Sequence, residues 1–184
     1  MVGLFPGYRR LMTPLDVLRD AFGRIPDGVA GVLEGLDDEQ LHHRPAPDAN
    51  PVGWLVWHLL RVQDDHVARG VEREQVWDEQ GFFDRFVEAG LPYERHEIGY
   101  GHTSEEVGAL RVDPSLLREY AQAVHARTLE VLDGLGATDL DRVVDENWDP
   151  PVTLGVRLVS VVDDDAQHLG QAAYVRGLLL GPDA

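Results

Sequence analysis

Asp164 and His168 lie four residues apart in the stretch SVVDDDAQHLGQAAYVRGLLLG, residues 160–181. On a helix that spacing puts both side chains on one face, roughly 5–6 Å apart at Cβ. It is also the spacing of helix-borne zinc sites. The same face runs through Arg157, Val161, Gln171 and Val175, and the two valines point it inward. A buried carboxylate beside a buried imidazole is costly unless something pairs with both. A divalent cation would do so. A third ligand is available in His58, within WLVWHLLRVQDDH, because its neighbours at helical spacing, Trp54, Leu55, Leu59 and Val62, are apolar. Two nitrogens and one oxygen make the open arrangement of catalytic zinc, three protein ligands plus a water. Nickel, iron or manganese suit the same donors. The ion would lower the pKa of a bound water or thiol and so supply a nucleophile near neutral pH. The alternative is a hydrogen-bonded core histidine beside a chance DxxxH.

Other side chains extend this site. Asp65 follows His58 by two turns and shares its face, which suits a hydrogen bond to a ligand imidazole or a contact with substrate. The other reading makes it a solvated charge beside Asp64 and Arg61. Arg61 and Gln171, one turn beyond His168, are candidates for the same two duties. Asp163 and Asp165 point away from the Asp164 face and read as surface or salt-bridge residues. His102, in GYGH, could lie over the mouth of the fold. His42 and His43, beside a proline loop, read as solvated, and His66, His96 and His125 receive no role. Gly170 should let a neighbouring helix approach. There is no Gly-rich phosphate loop, no serine elbow and no glycosidase-type carboxylate pair.

The elements that must position these residues are helical. TPLDVLRDAFGRIPDGVAGVLEGL, residues 13–36, carries a Thr13 cap, Pro14 at the first position and an apolar stripe; Pro26 should kink or restart it. A second helix runs from about Asn50, as cap, to Gly70. A third spans about Asp113 to Leu135, with Asp113 as cap. A fourth starts at a Thr153 cap and ends near Leu180, before Gly181-Pro182. Residues 71–112 form a long excursion with aromatic residues, a short helix within DEQGFFDRF and a Ser104-capped turn. Clear strands are absent. Four long helices with one long crossover, between the second and third, predict an all-α four-helix bundle.

Composition narrows the function. The 184 residues suit a single domain over 1–184, and 43% hydrophobic content suffices for a core. The chain has no cysteine, so thiolate ligands and cysteine nucleophiles are excluded and any thiol must come from outside. The formal net charge is −17, from 33 acids against 16 bases, all of them arginine. That balance argues against nucleic acid and anionic membranes as partners. MVGLFPGYRR lacks the pattern of a signal peptide, and no apolar run is long enough to span a bilayer, so a cytoplasmic protein is expected.

NPVGWLVWHLLRVQDDHV together with DDDAQHLGQAAYVRGLL resembles the DinB-like superfamily, which includes the mycothiol-dependent maleylpyruvate isomerases. The resemblance covers nearly the whole chain. It implies a four-helix bundle with a metal triad of one histidine in the second helix and an HxxxH pair in the last. His58 and His168 match two of these positions. Asp164 stands where HxxxH has its first histidine, as in the isomerase branch, which carries an acidic residue there. The resemblance implies a metal-dependent enzyme, a mycothiol-type S-transferase or isomerase acting on a small electrophile, and is consistent with a homodimer. A metal-dependent hydrolase and a non-catalytic helical binding or stress-response protein are the alternatives.

Overall fold

The computed structural model describes residues 11–181. The N-terminal decapeptide and Pro182, read above from sequence, lie outside the described residues. Four long helices carry the fold: α1 (Pro14–Leu33), α3 (Val52–Gly70), α7 (Pro114–Asp133) and α8 (Leu154–Leu180). Shorter helices fill the connections: α2 (Asp38–His42), α4 (Val76–Glu79), α5 (Phe82–Ala89) and α6 (Ser104–Ala109). The all-α bundle with its long crossover between α3 and α7 is therefore present. A 3-10 turn (Ala137–Asp141) and a small antiparallel ladder of β1 (Val143–Asp145) and β2 (Val152–Thr153) precede α8. That ladder corrects the expectation that strands are absent. Among the described residues no helix is long and apolar enough to cross a membrane.

Local chemistry explains most helix starts. Thr13 and Asp16 form a reciprocal capping box for α1, and Asp113 and Thr153 cap α7 and α8. α1 continues through Pro26, held by Phe22, Ile25 and Val29, all buried. Two starts differ from expectation. α3 begins one residue after an extended Pro51 and has no side-chain cap; its first turn is instead packed against Leu41, which a Cβ on Gly53 would approach to 3.2 Å. Thr103, not Ser104, caps α6, because Thr103 makes the capping box with Glu106 while the Ser104 hydroxyl donates to Asp48 at 2.9 Å. Gly170 also departs from expectation. A Cβ there would meet nothing within 4 Å among the described residues, whereas one on Gly28 of α1 would strike Leu169 of α8 at 2.4 Å. The close approach of α1 and α8 is made at Gly28.

α3 is the central helix, buried along nearly its whole length. Its apolar contacts fall into two clusters. One gathers the N-terminal half of α3 with the crossover, the first half of α7 and the end of α8. The other gathers Val67 with Leu15, Leu18, Phe22, Leu132, Leu158 and Val161. Between them lies a belt of buried polar side chains: Arg61, Gln63, Asp64 and Asp65 on α3, Thr128 on α7 and Asp165 on α8.

Most of this belt is satisfied. Arg61 donates to the Tyr120 hydroxyl at 3.1 Å and to Gln75 at 3.0 Å, and its guanidinium lies 4.4 Å over the Trp77 ring. Asp64 accepts from the backbone N–H groups of Val76 and Trp77, at 2.9 and 2.8 Å, and from the Tyr120 hydroxyl. Burial raises the Asp64 carboxyl, and these donors with the Arg61 charge work against that rise. One carboxylate thus caps α4 and neutralises a wholly buried arginine 3.6 Å away. Asp64→Ala would strand that charge and free two N–H groups. It should cost about 3–5 kcal/mol of stability, more than Asp64→Asn, as measured by equilibrium denaturant unfolding.

Candidate metal centre

The seam between α3 and α8 brings His58, Asp164 and His168 together. One ligand atom from each lies within 4.8 Å of the other two, and among the described residues this is the group of three or more metal-ligating side chains that could hold an ion. His58 is buried, while Asp164 and His168 are partly exposed. The two imidazoles meet edge to face with centroids 4.6 Å apart.

Hydrogen bonds choose which nitrogen of each ring faces the seam. His58 Nδ1 donates to the backbone carbonyl of Ile98, in the crossover. A carbonyl only accepts, so Nδ1 carries the proton and Nε2 of the neutral ring has a free lone pair. His168 Nδ1 donates to its own helix at the Asp164 carbonyl, 2.9 Å away, with the same result. The crossover is pressed onto His58 to do this. Gly99 has φ +93°, and a Cβ there would lie 2.6 Å from His58 Nδ1 and about 3 Å from the Trp54 and Trp57 rings. Trp54 stacks on the ring with centroids 4.7 Å apart.

Electrostatics separate the two histidines. Burial, reinforced by the His168 charge and opposed by the Ile98 hydrogen bond, pushes His58 down to about 4. The Asp164 carboxylate beside its ring raises His168 above the ordinary histidine value, against the effect of burial. For Asp164, burial acts to raise the carboxyl, but the adjacent His168 ring and the charge of His58 carry it below its usual range.

The donor set fits a divalent cation. Asp164 Oδ2 is buried without a well-formed hydrogen bond, although His168 Nδ1 stands 3.4 Å away. A desolvated carboxylate oxygen left without a donor is expensive. It lies beside two imidazole nitrogens with free lone pairs, and a cation satisfies all three at once.

The other sequence candidates sit elsewhere. Arg61 belongs to the buried Tyr120–Asp64 network, and its Nε reaches the Glu97 carbonyl at 3.4 Å, one residue before the carbonyl that holds His58. Asp65 is buried, not solvated; it accepts from His66 at 3.0 Å and Gln75 at 2.9 Å and forms an ion pair with Arg69, whose Nε is 3.0 Å away. Burial acts to raise its carboxyl, and these partners draw it down. Gln171 is exposed. His102 accepts from the Trp54 indole at 3.4 Å and packs on Tyr93, close enough for its charge to act on His58.

Two readings are corrected. Asp165 is not a surface residue: it is wholly buried, both carboxylate oxygens lack partners, and burial followed by the Asp164 charge holds its carboxyl far above the usual range. His42 is not solvated but bridges Asp38 and the Val112 N–H. Sequence reasoning also missed Ile98 and Gly99. Gly99 was visible as a glycine in GYG; a backbone carbonyl leaves no mark in a sequence.

Comparison with known proteins agrees with this geometry. The family model described as the DinB superfamily matches residues 21–172. The crystal structure of a conserved protein from Enterococcus faecalis superposes with a TM-score of 0.83 at 32% identity, covering 94% of this chain and 100% of that one. No curated protein matches the chain.

Two outcomes follow for cation binding. Gly99→Ala should displace the His58 ring and weaken zinc affinity about 10–100-fold, measured by competition with a chromophoric chelator. Protons compete with a cation for Nε2. Affinity should therefore fall as pH drops through the raised His168 value, by one proton per ion, and more steeply only near pH 4, where His58 charges.

Proposed function

The chain belongs to the DinB superfamily, and from that premise we propose that it is a metal-dependent enzyme that joins a low-molecular-weight thiol of the mycothiol type to a small electrophile, or uses the thiol to isomerise one. The observation that carries this reading is the convergence of two imidazoles and a carboxylate, with ligand atoms within 4.8 Å, at a partly open seam. His58, Asp164 and His168 would hold the ion, zinc first among the candidates and nickel, iron or manganese after it. A divalent cation there supplies Lewis acidity, which favours a thiolate over a thiol near neutral pH.

The chain's own residues support such chemistry in three ways. Ile98 holds the His58 proton on Nδ1, so that Nε2 serves as donor. Trp54 and Gly99 close over that ring and exclude water from it. Asp164 supplies negative charge, so the site carries less net positive charge than three histidines would leave it. The nucleophilic sulfur must arrive with a cofactor, since the chain has no cysteine. The partner is a small molecule, because a net charge of −17 repels phosphate backbones. A cytoplasmic homodimer is part of the same proposal.

Protein purified without chelator should carry about one divalent ion per chain. It should catalyse conjugation of a low-molecular-weight thiol in a screen of electrophiles. His58→Ala should lose the ion and reduce the rate at least about 100-fold while keeping its helical circular dichroism. Metal-free protein, or conjugation unaffected by His58→Ala, would overturn the proposal. Turnover that needs the ion but no thiol would point to the hydrolase instead.

A further inference from the structure

A second recess lies on the same seam, beyond the triad toward the start of α8. It has a volume of about 290 Å³ and is walled by His66, Arg69 and Gly70 of α3, Arg157 of α8, and Val144 and Asn147 of the β1–β2 segment. Arg142 reaches its edge, where its Nη2 donates to the Gly70 carbonyl at 2.8 Å. The chain has two acids for every base, yet this recess is lined by two arginines and a histidine against one aspartate, Asp145.

Two carboxylates accompany them, and both are engaged. Asp145 accepts from Asn147 through Oδ1 and from Arg157 at 2.9 Å through Oδ2. Asp65 accepts from His66 and Gln75 and forms an ion pair with Arg69. They act as clamps: each fixes an arginine by one nitrogen and leaves others free. Arg69 pairs through Nε, and Arg157 through Nη2. The terminal nitrogens of Arg69 and the Nε and Nη1 of Arg157 have no hydrogen-bond partner among the described residues. Preset guanidinium donors of this kind suit carboxylates and phosphates.

The recess is placed to work with the triad. Arg157 and Asp164 lie on one stripe of α8, seven residues apart, which is about 10 Å along the axis. His66 follows His58 on α3 by about 12 Å, and its charge reaches Asp164. We infer that this recess is an anion subsite, in which Arg69 and Arg157 hold the carboxylate or phosphate of a small organic molecule whose other end extends to His58, Asp164 and His168. The extension to the triad rests on the function proposed above; the anion site does not.

The test uses the full chain, both zinc-loaded and chelator-stripped, with succinate and inorganic phosphate as probes at constant ionic strength. Calorimetry measures affinity, and the ring signals of His66 in NMR spectra locate the probe. Saturable binding with shifts at His66 is expected in both forms, at least about tenfold weaker in Arg157→Gln and Arg69→Gln. Arg69 has a 71% exposed side chain, so its replacement leaves the fold intact. Succinate binding without phosphate binding assigns a carboxylate, and the reverse assigns a phosphoryl group. No saturable binding, or equal binding by the arginine variants, overturns the anion site. Zinc content of the same samples separates the two ideas: a loaded triad beside an anion-blind recess removes this inference alone, and an empty triad beside a working recess removes only its link to the triad.

Discussion

A buried imidazole has two nitrogens, and the one that answers to the fold decides what the other can do. In His58 the Nδ1–H is held by the Ile98 carbonyl, so the unprotonated Nε2 remains for the seam with α8. The rest of the site follows from that bond. It requires the crossover to lie flat on α3, which a glycine with φ +93° permits at residue 99 and a side chain would block. It requires Trp54 to back the ring. And it leaves His58 in a setting where burial disfavours its charged form, which is the protonation state a metal ligand needs.

The bundle meets this requirement at a cost in its own interior. Two apolar clusters fill its ends, while its middle holds arginine, aspartate, glutamine and threonine side chains that water would otherwise solvate. Arg61, Asp64 and Tyr120 satisfy one another and tie the crossover to α3 and α7. Arg61 also touches the carbonyl of Glu97, the neighbour of Ile98. The same belt that stabilises the long connection therefore holds the backbone that orients a ligand histidine. Asp165 in the belt and the Oδ2 of Asp164 beside it have no hydrogen-bond partner among the described residues. Burial holds the carboxyl of the first far above its usual range; the second faces two imidazoles.

Much of this was legible in the residues. Proline and threonine or aspartate at helix starts placed α1, α7 and α8 within a few residues of their true bounds, because caps are local chemistry. The i, i+4 spacing of Asp164 and His168, and the apolar flanks of His58, placed three side chains whose meeting depends only on two helices packing face to face. What was not legible depends on tertiary contacts. The start of α3 is set by packing on Leu41, and the Ser104 hydroxyl is diverted to Asp48. Asp65 reads as solvated until α4 and Gln75 cover it. Asp165 was misjudged although a signal existed: it follows Val161 by four and precedes Ala172 by seven, so it falls on the apolar stripe of α8.

The claim on which all else rests is that His58, Asp164 and His168 bind one ion in common. The most direct measurement is a crystal of the protein grown with zinc, with anomalous diffraction recorded on both sides of the zinc edge. The account predicts a single strong peak on the α3–α8 seam, about 2.0–2.2 Å from Nε2 of both histidines and from an Asp164 oxygen. A peak elsewhere, or none at full zinc saturation, would contradict it.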